Sequence, residues 1–153
     1  MIRWWWIVWG LSLATGCAHT AKGILSSTAG GVVVQGLHGE QAKLVLGPKA
    51  QPLGALEGYY VEVRGLKGLG ALQVESWSVV EGPSALPVWV GPLEVLGARV
   101  GLRDHNSGGF YFLDQSTAEA LRNQGGKWVV VEGYVDGPHE IRVMFHRLLD
   151  PTL

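Results

Sequence analysis

The densest polar run in the chain is Arg103-Asp104-His105-Asn106-Ser107. A carboxylate beside an imidazole could act as an acid–base pair or share a metal ion. Neighbours in an extended strand point to opposite faces, so Asp104 and His105 converge only if the chain turns there. Asp, Asn, Ser and the following Gly108-Gly109 are turn-forming types, and the segment is read as a hairpin connection. A hydrolase using Asp104, His105 and Asp114 is the lesser reading. His19, His38, His139 and His146 stand alone, with no spacing that would pair two as ligands. Ser107 and Ser116 lack the Gly-x-Ser-x-Gly elbow of a nucleophile. Nor is there a glycine-rich loop with a lysine leading into a helix to cradle phosphate. Cys17 is the single cysteine, which excludes an intramolecular disulfide and a cysteine-based zinc set. No catalytic residue, metal or cofactor is assigned.

Whatever these side chains do, short strands must position them. Gly58-Tyr-Tyr-Val-Glu-Val-Arg-Gly65 echoes Gly126-Lys-Trp-Val-Val-Val-Glu-Gly133 at an offset of 68 residues. The same offset pairs Val32 with Val100, Leu44 with Phe112 and Val45 with Leu113. Further on it becomes 69, pairing Leu72 with Ile141 and Val74 with Val143, which one inserted turn residue explains. Val61 and Val63 alternate with Tyr60, Glu62 and Arg64, and Ile141, Val143 and Phe145 alternate with Arg142, Met144 and His146, as in half-buried strands. The 23 glycines mark the turns between them. One helix is predicted near 116–124, with Ser116-Thr-Ala-Glu119 as a capping box and Gly125-Gly126 as its stop. The corresponding 48–57 stretch has two prolines and no cap, so an irregular loop or single turn is expected.

Strand, strand, strand, short helix, strand, strand is the order of an OB-fold, and the second half resembles such domains. The resemblance implies a mainly β chain of two small Greek-key barrels in tandem, at 30–82 and 86–149, the first a degenerate copy whose weak opening strand falls within Gly23–Ser27. A single larger barrel or sandwich is the alternative. OB-like barrels bind strands or glycans on exposed aromatics, so Tyr60, Tyr111 and Trp128 are the candidate ligand-binding side chains. Rings that fill the core or the junction between halves are the competing account of the same residues, and of Tyr59 and Trp77. The formal net charge is −1, and acidic neighbours interleave Arg99, Arg103, Arg142 and Arg147. That balance leads to an expectation of no nucleic-acid partner.

The chain opens with Arg3 and an uncharged run from Trp4 to Ala14. At about 11 residues, or ~16 Å as a helix, that run is too short to span a bilayer, and it fits the apolar stretch of a signal peptide. Ala14-Thr15-Gly16-Cys17 resembles the lipobox of bacterial lipoproteins, with Ala14 where leucine is usual. The resemblance implies cleavage after Gly16, lipidation of Cys17, a flexible tether across 17–29, and an anchor at the cell envelope. Ala18, where an aspartate would imply inner-membrane retention, points to the outer membrane, with the domains facing the periplasm or the surface. The expected function is a non-enzymatic envelope binding or assembly module with a protein or saccharide partner. Its alternative is a soluble periplasmic module for oligosaccharides or oligonucleotides, because Ala14-Thr15-Gly16 also fits an ordinary signal-peptidase site.

Overall fold

Buried and exposed side chains alternate from the first residues that the computed structural model describes, which are 18–38 and 40–149. In β1 (Ala18–Thr28), Ala21, Gly23 and Leu25 turn inward while Lys22 and Ile24 face out. This segment is a strand, not the tether expected across 17–29, so the first half begins at Ala18 and not at residue 30. Its Ala, Thr, Ser and Gly residues make a poor apolar pattern, but neighbours on both sides satisfy its backbone. Gly16 and Cys17 lie outside the described residues.

The first barrel continues with β2 (Gly31–Gln35), β3 (Lys43–Leu46), β4 (Tyr60–Lys67) and β5 (Ala71–Glu81). Its strand order is β1-β2-β3-β5-β4, closing onto β1. The second barrel uses β6 (Val88–Leu96), β7 (Arg99–Arg103), β8 (Phe110–Leu113), β9 (Trp128–Gly137) and β10 (Glu140–Leu149). Its order is the same, β6-β7-β8-β10-β9. Among the described residues, only β3–β5 and β8–β10 pair in parallel. This is the five-stranded OB barrel, present twice.

The repeat holds at the level of register. Val45 opposes Leu72 as Leu113 opposes Ile141, and Gly65 opposes Val74 as Gly133 opposes Val143. Each barrel skips one residue at the same place, Glu75 in β5 and Met144 in β10, a bulge that tightens the bend. Gly23 and Gly91 share a further duty. A Cβ at either would overlap a backbone carbonyl, that of Gln35 or Arg103, so the strand crossing there admits only glycine.

Between β3 and β4 lies a 3-10 helix, Pro48–Leu56, longer than the loop or turn expected. Pro48 sits in its first turn, where a missing N–H costs nothing, and Ala50, Leu53 and Leu56 are buried. Apolar burial forms this helix without the cap whose absence argued against it. The second half has α1 (Gln115–Leu121), followed by a 3-10 turn at Arg122–Gln124. Its N-cap is Asp114 and not the expected Ser116. The Asp114 carboxylate accepts from Thr117 N at 3.2 Å and from Ser116 Oγ at 2.7 Å.

The two barrels pack against each other. Val129 and Val131 enter the second core while Val130, with Val90 and Leu149, enters the first. β9 therefore reads as a continuous valine run because both its faces are covered.

Candidate ligand-binding face

The outer face of the second barrel is set by the phase of β7 and β8. Val100, Leu102 and Leu113 are buried, which turns Arg99, Gly101, Arg103, Phe110 and Phe112 outward. Across the pair, Arg103 opposes Phe110 and Gly101 opposes Phe112. A Cβ at Gly101 would come within 2.5 Å of both Phe110 Cζ and the Tyr111 carbonyl oxygen, so the strand pairing itself needs a bare glycine here, and the Phe110 ring lies against the sheet over it. The two phenyl rings meet edge to face at 5.0 Å and 88°. The Arg99 guanidinium lies 3.5 Å from the Phe112 ring centre and that of Arg103 lies 5.5 Å from Phe110. Glu140 holds Arg99 at 3.3 Å and Glu94 holds Arg103 at 2.9 Å. Exposed ion pairs of this kind are worth about 0–1 kcal/mol, so either arginine can exchange its carboxylate for a ligand's anion at little cost. This is the strand-two and strand-three surface on which OB barrels take oligonucleotides and oligosaccharides.

The three ring residues expected to bind do not gather there. Tyr111 points to the opposite side of β8 from Phe110 and Phe112, and its ring lies 5.9 Å from Trp89. Trp128 is in the junction between barrels, 6.2 Å from Trp77 and 5.4 Å from His105. Tyr60 holds the position in β4 that Trp128 holds in β9, but it borders an open hollow of the first barrel with Lys22 and Leu37. The phase of Val100 and Leu102 around Gly101 marks Phe110 and Phe112, and not Tyr111, as outward-facing.

Arg103 ends β7, and Asp104–Ser107 is a turn, as its composition indicated, that also joins the barrels. Asp104 is buried. Its carboxylate accepts from Val90 N at 3.2 Å and from Ser107 N and Oγ at 2.9 and 2.6 Å. His105 stacks on Trp77 at 4.3 Å, and its Nε2 lies 3.2 Å from the Trp77 carbonyl. Asn106 pairs with both backbone groups of Val79. Asp104 and His105 thus diverge to separate structural partners.

A second polar contact ties the barrels beside this one. The Tyr59 hydroxyl donates to buried Glu132 Oε1 at 2.8 Å, and Ser84 donates to Oε2 from its backbone and its hydroxyl. Burial, then the hydrogen bond and charge of Glu132, push the Tyr59 hydroxyl far above the ordinary tyrosine range, so it stays a donor. Desolvation opposes ionisation of Asp114. Hydrogen bonds from Ser116, Val143 N and Thr117 outweigh that cost and hold its carboxyl below the usual range. Among the described residues, no cluster of His, Asp, Glu or Cys could hold a metal ion.

No known family model matches the chain, and no curated protein does. Among solved structures it is similar to the single-stranded DNA binding protein from Thermus aquaticus, at 18% identity and a TM-score of 0.29. The match covers 86% of this chain and 91% of that one. A neighbour of that description overturns the exclusion of nucleic acid drawn from net charge. It corrects the exclusion and assigns no ligand.

Proposed function

We propose that the chain is a non-catalytic binding module that takes an extended ligand bearing flat rings and anionic groups across β7 and β8. One observation carries this reading: Phe110 and Phe112 are partly exposed, side by side, with a guanidinium over each. Rings offer stacking without sequence preference, and the arginines offer charge. A single-stranded oligonucleotide has both complementary features. Titration of a labelled oligothymidine, followed by anisotropy, tests it. Two displaced cations predict a slope of about −1.4 in log affinity against log salt. An anisotropy that stays flat at low salt sinks the reading.

The leader and Ala14-Thr15-Gly16-Cys17 support placing this module at the cell envelope, held by lipid on Cys17 and facing the periplasm or the surface. Two or three acyl chains, each contributing about 0.8 kcal/mol per buried CH₂, make a durable anchor. Intact mass of the membrane fraction checks it: an acylated chain beginning at Cys17 is expected, and an unmodified soluble chain is the contrary result. The contrary result favours the freely diffusing exported form of the same module.

A further inference from the structure

The end of the first barrel where β1 begins has a composition of its own. Ala18 pairs with Leu66 near the end of β4, and the β4–β5 hairpin turns just beyond, through Gly68, Leu69 and Gly70. Gly68 N bonds to the Ala71 carbonyl at 2.8 Å and Gly70 takes a φ of 77°, so the tip is a closed, tight turn. It presents Leu69 with nothing over it, at 107% relative exposure, and Leu66 at 39%. The β2–β3 connection approaches this hairpin through Gln41 and Ala42. The hollow between these turns is lined by His19, Lys43 and Lys67 and by no carboxylate. Among the described residues neither lysine has a carboxylate partner. The corresponding hairpin of the second barrel differs in kind: it carries Asp136, paired with Arg142 at 2.7 Å, and Pro138.

Exposed leucines at a turn, flanked by unpaired lysines, suit the boundary between acyl chains and anionic headgroups. The chain itself indicates which surface lies there. β1 starts at this end of the barrel with Ala18, the residue that follows Cys17 in the sequence. We propose that the Lys67–Gly70 hairpin is a second membrane contact, seating Leu69 in the headgroup boundary of the membrane that holds Cys17, with Lys43 and Lys67 against anionic lipid. This rests on the lipid anchor proposed above. A barrel fixed at this end and touching lipid there would hold a set orientation rather than swing on a tether.

The test uses the processed, acylated chain in vesicles of phosphatidylcholine and phosphatidylglycerol, with Leu69→Cys carrying an environment-sensitive fluorophore. Acylation blocks Cys17, so the label goes to one site. Leu96→Cys, on the exposed β6–β7 tip of the other barrel, is the control. The expected result is a blue-shifted emission quenched by nitroxide-bearing lipid at position 69 and a water-like emission at position 96. Lys43→Gln and Lys67→Gln should each lower the preference for anionic over neutral vesicles, in a chain with Cys17→Ala, by roughly fivefold. Acylated, membrane-bound protein whose label at 69 stays water-like overturns the hairpin contact and leaves the anchor standing. A chain without acyl mass that fails to sediment with membranes overturns both.

Discussion

The two barrels share topology, register, bulge and corner glycine, yet their outer faces differ. On β7 and β8 the outward positions are Arg99, Gly101, Arg103, Phe110 and Phe112. The matching positions on β2 and β3, with the segment before β3, are Gly31, Val33, Gln35, Ala42 and Leu44. Inward residues stay apolar in both copies because each must close a core. Outward residues are free of that demand, so an aromatic and cationic set on one copy alone is the mark of a task that the other copy lacks.

Replacing the rings is the strongest way to break this contrast. Phe110→Ala with Phe112→Ala should lower oligothymidine affinity by roughly tenfold or more per ring, at about 1–3 kcal/mol for each stacked base. Leu44→Ala with Leu46→Ala, on the first barrel, should leave the affinity unchanged in the same titration. Gly101→Val puts at 101 the residue that the first barrel has at 33. It should push the Phe110 ring off the sheet and crowd the Tyr111 carbonyl, costing roughly tenfold in affinity and also lowering the denaturant midpoint, because the β7–β8 pairing must give way.

The helices sharpen the comparison through stability. α1 is capped by Asp114, whose counterpart at the same offset is Leu46. Asp114→Ala removes the cap and the acceptor for Val143 N, 2.8 Å away in β10, and should cost about 1–3 kcal/mol in denaturant unfolding. Because the folded carboxyl titrates below its ordinary value of 3.8, its contribution is complete above that pH. It fades as pH falls through the lower folded value. Asp114→Asn should flatten that acid limb, and an unchanged limb contradicts the assignment. The smallest effect is expected from Arg99→Gln, which should reduce the salt slope by about 0.7 with modest loss of affinity at low salt.

Much of the architecture could be read from alternation and repeat. The offset that changes from 68 to 69 predicted which residues of β4, β5, β9 and β10 correspond, and the inserted residue falls in the β9–β10 turn. β1 was legible only over Gly23–Ser27, and its extent back to Ala18 was not, because hydrogen bonds to two neighbours form it and its small side chains give little apolar signal. The cap was misplaced by two residues because Ser116 and Asp114 are both good caps, and only Asp114 also reaches β10. The Asp104 turn was legible from its residue types, but its docking onto Val79 and Trp77 joins segments about 27 residues apart that no local pattern connects. Phe110 and Phe112 were within reach of the strand periodicity. What chose them over Tyr111 was which neighbours were already buried.

The most direct measurement is the oligothymidine titration run side by side on the unaltered protein, the Phe110→Ala/Phe112→Ala chain and the Leu44→Ala/Leu46→Ala chain. Binding that is lost with the phenylalanines and kept with the leucines is the predicted result. Binding that survives without both rings, or falls equally in the two variants, contradicts the assignment of the ligand face to the second barrel.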